Sequence, residues 1–253
     1  MSVQLLGPVA LMNGDSRVLV RGQRQLRFLA TLALRPGQVV SKEILIEESW
    51  DGEPPRTVSG QLQTSVWMIR GALRQAGAAC EVLTSHDLGY QLLVSPCDVD
   101  VFAMRETIQH VRSLFGRRDF RGAADELDTA LGMWRGSTMA GVTSSRLRLR
   151  AGALDRERMA AVELRALIDI ELGRFDDAIA RLTELTEQEP LREDLYVGLM
   201  RAYYAVGRQA DAIQAFHRAK GLLREQIGIA PGEKLRRVMQ AVLQQDEKIL
   251  NSY

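Results

Sequence analysis

The side chains between Pro54 and Arg74 are of the types that read nucleic acid. Wound at about 100° per residue, this stretch collects Val58, Leu62, Val66, Ile69 and Leu73 on one stripe. Gln63, Thr64, Trp67 and Arg74 fall on the opposite side, with Arg56 and Arg70 on its flank, and no acidic residue occurs from Pro54 to Cys80. Amide, hydroxyl and guanidinium groups on one helix face can bond to base edges in a major groove or to phosphates. Arg70 can reach a phosphate or a guanine edge from its flank; its plainer role is a surface ion pair. Trp67 suits packing on a sugar or a thymine methyl, and the alternative is that it folds back onto a neighbouring helix or onto the second half of the chain.

The elements around this helix are those that would present it. Three short β-rich runs lie near Gln4–Leu6, Val9–Met12 and Val18–Val20, separated by Gly7-Pro8 and Asn13-Gly14-Asp15. Apolar residues at Leu26, Phe28, Leu29, Leu32 and Ala33 then have helical spacing up to the stop at Pro36-Gly37. Ser41 is a good N-cap for a second helix through Trp50, with Glu43 and Glu47 suited to the positive end of its dipole. Asp51-Gly52-Glu53-Pro54-Pro55 breaks the chain before the third helix. After it, Glu81–Thr84 and Tyr90–Val94 can pair as a hairpin across Ser85-His86-Asp87-Leu88-Gly89. Three helices and a terminal hairpin make a winged helix-turn-helix, with Ser85 and His86 on the wing.

Length and composition agree with this. The 253 residues, 46% hydrophobic, suffice for a sizeable core and about two domains. The net charge is only +1, but nucleic-acid binding depends on where charge clusters more than on its sum. Arg17 to Arg35 carries five arginines and no acid, whereas Lys42 to Glu53 carries five acids against one lysine, so basic and acidic faces are expected to be segregated. No run of 18 apolar residues could span a membrane, and the start at the strand-like Val3-Gln4-Leu5-Leu6, with no basic region leading into an apolar segment, does not read as a secretory signal, which gives an expectation of a cytoplasmic protein. Cys80 and Cys97, with His86, His110 and His217, have no zinc-ligand spacing, so no metal or other cofactor is expected and both cysteines read as reduced thiols.

A composition shift at Ser95-Pro96-Cys97-Asp98-Val99-Asp100 marks an expected boundary, giving a DNA-binding domain over 1–96 and a helical domain over 97–253. In the second part Leu172-Gly173-Arg174, Ala178 and Ile179 recur as Val206-Gly207-Arg208, Ala212 and Ile213, a 34-residue period that is the spacing of tetratricopeptide helix pairs. Pro190 closes the first copy, Phe216 and Ala219 fit packing positions of the second, and Ala123, Leu127 and Ala130 read as a degenerate earlier copy ending at Trp134-Arg135-Gly136. The fold class is therefore mostly α: an N-terminal winged helix-turn-helix with a small β-sheet, then a tetratricopeptide-like array.

The chain resembles the Streptomyces antibiotic regulatory protein family. Leu6-Gly7-Pro8-Val9, Val39-Val40-Ser41, Leu45-Ile46, Trp50 before the double proline, Leu62-Gln63, Ile69-Arg70 and Gly89-Tyr90 stand where that family's marks stand. Asp98-Val99-Asp100-Val101-Phe102 through Gly228-Ile229-Ala230-Pro231-Gly232 resembles its bacterial transcriptional activation domain, so the likeness runs over essentially the whole chain. It departs at Trp67-Met68, where the family has a small polar residue followed by arginine, and at Ser85, where the wing often carries arginine. The resemblance implies a transcription activator with an OmpR-type winged helix that binds direct repeats near promoters, alone or as a side-by-side pair or homodimer, and recruits RNA polymerase to a biosynthetic gene cluster. It also implies that the loop carrying Asp51 and Glu53 faces a sigma factor or another polymerase subunit; the plainer role of these acids is to solvate a tight turn. There is no G-x-x-x-x-G-K-[ST] phosphate loop, so the chain resembles the small members, and with no receiver domain ahead of the winged helix activation by aspartyl phosphorylation is not expected.

Catalysis finds little support. There is no G-x-S-x-G elbow, no H-E-x-x-H and no dinucleotide fingerprint, and Asp176-Asp177 read as partners of a helix dipole. The competing reading is a protein-interaction adaptor whose winged helix has lost DNA affinity, favoured by the substitutions at Trp67, Met68 and Ser85.

Overall fold

The computed structural model of the chain describes residues 1–50, 54–79 and 81–246. It divides into two compact units, Met1–His110 with Thr129–Glu157, and Val111–Asp128 with Arg158–Tyr253.

The first unit opens with β1 (Ser2–Gln4), β2 (Ala10–Asn13) and β3 (Ser16–Val18), an antiparallel sheet in the order β1-β2-β3 with Val3 opposite Leu11 and Leu11 opposite Val18. Val3, Leu5, Leu6 and Leu11 are fully buried. α1 (Gln23–Ala33) buries Phe28, Leu29, Leu32 and Ala33, as its spacing required, and Phe28 meets Tyr90 edge-on at 5.7 Å. α2 (Lys42–Ser49) is capped by Ser41, whose hydroxyl accepts from the Ile44 amide at 3.3 Å. α3 (Val58–Gln75) follows, then β5 (Leu83–Ser85) and β6 (Gly89–Leu92).

The hairpin has a third strand that the sequence pattern does not reveal. β4 (Val39–Ser41) pairs with β6, giving the order β4-β6-β5, and Ser41 lies opposite Gly89. Glycine is required at 89 because a Cβ there would sit 1.9 Å from the Val40 carbonyl oxygen.

Residues beyond 96 belong to the same unit. A short 3₁₀ turn at Pro96–Asp98 leads into α4 (Asp100–Gly116). The Asp100 carboxylate accepts from the amides of Leu5 (2.8 Å) and Leu6 (3.0 Å) and from Arg135 Nη2 (2.5 Å). After α5 (Phe120–Gly132), the amides of Arg135, Met139 and Ala140 donate to the carbonyls of Leu6, Leu5 and Gly7. The first unit thus owes part of its internal bonding to residues 97–110 and 129–157.

The acidic run of α2 is an open face only in part: Glu43 and Glu47 are exposed, but Glu48 is buried. Glu48 is 3% exposed and accepts from Thr31 Oγ1 (2.8 Å), Arg35 Nη2 (2.9 Å) and Arg150 Nη2 (2.6 Å), the last on α6 (Ser145–Glu171), while Glu47 pairs with Arg146 at 2.9 Å. Burial alone would raise the Glu48 pKa, but the bonds from Arg35 and Thr31 and the charges of Arg35 and Arg150 outweigh it and hold the carboxyl below the usual glutamate value. Glu48 thus neutralises a buried contact, whereas Glu47 makes its pair at the surface.

The second unit displays the repeat. α7 (Phe175–Gln188), α8 (Glu193–Ala205), α9 (Gln209–Ile227) and α10 (Glu233–Gln244) pack around Ala178, Leu182, Tyr196, Met200, Ala212 and Leu235. The turns that open α7 and α9 are equivalent. Gly173 (φ +72°) and Gly207 (φ +75°) are left-handed, and the amides of Arg174 and Arg208 donate to the carbonyls of Asp169 and Tyr203, 34 residues apart. The same turn opens α5: Arg118 (φ +62°) takes the glycine position and the Asp119 amide donates to Leu114. Ala123, Ala178 and Ala212 follow at the same offset and are fully buried, where only a small side chain lets helices approach closely. Asp176 and Asp177 lie in the first turn of α7. No helix among the described residues is long and apolar enough to cross a membrane.

Candidate nucleic-acid interface

α3 is anchored by the apolar stripe. Leu62, Val66, Ile69 and Leu73 are buried and Val58 is half-buried, so the opposite face must look outward. Gln63, Thr64, Trp67 and Arg74 are all exposed, Trp67 at 71%. Thr64 Oγ1 donates to the Gly60 carbonyl at 2.9 Å, which leaves its lone pairs free to accept. Gln63, Trp67 and Arg74 make no bond or ring contact to other described residues. Arg56 is exposed too, but α3 begins at Val58, so Arg56 lies in the turn before the helix rather than on its flank.

Arg70 has a different task from the one its position suggests. Its Nε (3.0 Å) and Nη2 (2.8 Å) donate to the Leu83 carbonyl, and Nη2 also donates to Ser85 Oγ at 3.0 Å. A half-buried guanidinium bound twice to one carbonyl is a strut between α3 and β5. Ser85, exposed on the wing, is held by that strut.

The wing is similarly built. The amide of His86 donates to the Gly89 carbonyl (2.8 Å) and the Gly89 amide returns a bond to His86 (3.2 Å), closing a tight turn with Leu88 76% exposed at its tip. Gln91 Nε2 donates to the Gly37 carbonyl at 2.7 Å, which turns its Oε1 toward His86 Nε2 at 2.8 Å. His86 Nε2 is therefore the protonated nitrogen, and the exposed ring keeps Nδ1 for an outside partner. Lys42 Nζ binds the Asp87 carbonyl at 2.9 Å and so tethers the turn to the start of α2. Asp51 and Glu53 lie outside the described residues.

Two cations beside α3 were not singled out by the sequence. A cleft of about 690 Å³ runs between the Arg17–Arg21 segment and α3, lined by Arg17, Leu19, Arg21, Trp67, Met68 and Arg74 among others. The signal for it was the acid-free run from Arg17 to Arg35. Three members of that run are engaged elsewhere: Arg24 stacks on Trp50 (5.0 Å), Arg27 donates to the Ser49 carbonyl (2.8 Å), and Arg35 holds Glu48. Arg17 and Arg21 are exposed and without partners among the described residues. The outer side of α3 and its border therefore carry four arginines without partners among the described residues, Arg17, Arg21, Arg56 and Arg74, around one amide, one hydroxyl and one indole. Such a surface offers phosphate contacts at its edge and hydrogen bonding with apolar contact at its centre.

Comparison with known proteins gives this surface its context. Residues 16–92 match the family model described as "Transcriptional regulatory protein, C terminal", and residues 97–243 match "Bacterial transcriptional activator domain". Regulatory protein DnrI of Streptomyces peucetius is 28% identical over 98% of this chain and 94% of its own length. Transcriptional regulator RedD of Streptomyces coelicolor is 32% identical over 96% of this chain and 71% of its own. The solved structure of Mycobacterium tuberculosis EmbR, in complex with a low-affinity phosphopeptide, matches with a TM-score of 0.92 at 29% identity, covering 96% of this chain and 65% of the EmbR chain. With both family models matched in the order expected of a winged helix followed by a helical activator region, this chain belongs to the Streptomyces antibiotic regulatory protein family of transcriptional regulators.

Proposed function

We propose that this regulator binds promoter DNA through α3 in the major groove, with the wing beside the adjacent backbone or minor groove, and activates transcription of a biosynthetic gene cluster. The observation that carries the reading is the acid-free outer side of α3, where Gln63, Trp67 and Arg74 are exposed and make no bond within the described chain. A surface kept free of internal partners on a helix whose other side is fixed is what base readout needs. Arg17, Arg21 and Arg56 extend it with phosphate-seeking charge. Direct-repeat operators and a side-by-side pair of chains, which the family resemblance implies, fit this arrangement. The division of labour falls at 96/97, with DNA recognition before it and activation after it.

The test is a gel shift and an anisotropy titration with DNA from upstream of neighbouring genes, at several salt concentrations. Specific binding whose affinity falls linearly on a log–log salt plot is expected. Absence of any specific operator would instead leave the helical array as a protein-interaction adaptor. Recruitment of RNA polymerase through Asp51 and Glu53 is tested by replacing both with alanine: retained operator affinity with lost in vitro transcription supports the contact. Full transcription removes it.

A further inference from the structure

We propose that the second unit holds a binding site for a small organic carboxylate, in the cleft between α7 and α9 whose floor is α8. The inference is independent of the DNA reading, since every residue it uses lies in the helical array.

The cleft encloses about 470 Å³, within the range of small-molecule sites. Tyr196, Leu199 and Tyr203 line it from α8, at the helical spacing that puts them on one face, and Ala215 and Arg218 line it from α9. Its most telling member is Tyr196. The residue is 1% exposed, and its hydroxyl is buried without a hydrogen-bond partner among the described residues. Buried hydroxyls are almost always bonded, because an unbonded one forfeits its hydration for nothing. A ligand in the cleft supplies the missing partner.

The charge is unbalanced in the same place. Arg218 is exposed and has no hydrogen bond or ion pair with any described residue, yet it lies close enough to act electrostatically on the Tyr196 hydroxyl. Burial outweighs that influence and pushes the phenol pKa up, so the hydroxyl remains a donor at neutral pH. Asp211, Arg208 and Thr186 are already occupied. Asp211 is neutralised by Arg208 at 2.8 Å, Arg208 also stacks on Tyr203 at 4.6 Å, and Thr186 Oγ1 donates to the Thr183 carbonyl at 2.8 Å. The Tyr196 hydroxyl and the Arg218 guanidinium remain above an apolar floor of Leu199 and Ala215, with the exposed Gln214 and His217 at the rim. One cation and one hydroxyl match a singly charged carboxylate with an apolar or aromatic body.

The experiment is calorimetric titration of the full chain with phenylacetate, indole-3-acetate and decanoate, each beside its neutral amide. At least one acid is expected to bind one-to-one with Kd below about 1 mM and at least roughly tenfold more tightly than its amide. Tyr196→Phe is expected to weaken that binding roughly tenfold while leaving Tm unchanged or raised, since it removes a group that has no partner in the free chain. Arg218→Gln, at an exposed position, is expected to abolish the preference for acid over amide; neither variant changes operator affinity. The proposal is overturned if no acid binds at millimolar concentration, if binding ignores both substitutions, or if Tyr196→Phe lowers Tm. Tighter binding of a hexapeptide ending in phenylalanine than of any free acid overturns the small-molecule assignment in favour of a protein tail.

Discussion

The guanidinium of Arg70 holds the carbonyl of Leu83 through two donors, at 3.0 and 2.8 Å, and so fixes the C-terminal half of α3 to the strand that begins the wing. The helix and the wing are thereby tied to each other. Replacing Arg70 with alanine leaves a buried-strand carbonyl short of its charged partner and is expected to cost about 1–3 kcal/mol in chemical denaturation. Operator affinity falls with it, because the wing loses its register. The slope of affinity against salt stays unchanged. Lysine at 70 does not restore either property, since an ammonium cannot reproduce the two-pronged contact. Normal stability with a salt slope reduced by about 1 would instead put the guanidinium on a phosphate.

Trp67 gives the opposite result. At 71% exposure it supports no packing, so Trp67→Ala changes stability by no more than about 0.5 kcal/mol. Operator affinity is expected to drop roughly tenfold if the indole packs on DNA. Arg74→Ala reduces the salt slope by about 1, and Arg17→Ala and Arg21→Ala do the same if the adjoining cleft tracks the backbone. Anisotropy at four salt concentrations separates the two kinds of loss. A stability loss for Trp67→Ala would place the ring against protein instead.

Glu48 links pH to the stability of the first unit. Its carboxyl titrates below the ordinary value of 4.5 because Arg35, Thr31 and Arg150 overcome the penalty of burial. The folded pKa is depressed, so the contribution is complete above the unfolded value, about 4.3, and is lost as pH falls through the folded one. Denaturation midpoints measured from pH 6 down to 3 should decline in this window for the native chain and decline less for Glu48→Gln. That variant costs about 1–3 kcal/mol at neutral pH, because Arg35 and Arg150 lose the negative charge they share. An unchanged acid profile would show that Glu48 has no part in it.

What could be read from the sequence followed from period and punctuation. The α3 stripe, the Ser41 cap and the 34-residue repeat each depend on neighbours within one element or one turn, and each is found in place. The features that escaped depend on long-range bonds between groups with no pattern of their own. β4 pairs with β6 through three residues too few to show alternation, and only the clash a Cβ at Gly89 would make with Val40 betrays it. Arg70 sits on the flank of α3 as expected, yet which carbonyl its guanidinium meets is decided by the placement of Leu83, which no spacing encodes. The burial of Glu48 leaves no mark in the charge pattern because Arg150, one of the cations that meet it, is 102 residues away. For the site, residue types were legible and commitments were not: Gln63, Trp67 and Arg74 remain open, while Arg70 does not.

Three equivalent left-handed turns in the helical array provide the last prediction. Gly173 and Gly207 adopt φ of +72° and +75°, where an L side chain is strained, and Arg118 adopts +62° at the equivalent position of the degenerate copy. No atom outside each glycine's immediate chain neighbours comes within 4 Å of a Cβ built at Gly173 or Gly207, so the cost of a side chain there is backbone strain and not collision. Gly173→Ala and Gly207→Ala are each expected to destabilise by about 1 kcal/mol. Arg118→Gly runs the other way. It removes strain of about 1–2 kcal/mol but adds unfolded-state entropy worth roughly 0.5–1 kcal/mol, so a net gain of about 0.5 kcal/mol is expected. Equilibrium unfolding of the three variants in urea measures the signs. A destabilised Arg118→Gly would mean that the arginine side chain makes a contact worth more than the strain it imposes, and the earliest repeat would then be held by that contact and not by its turn.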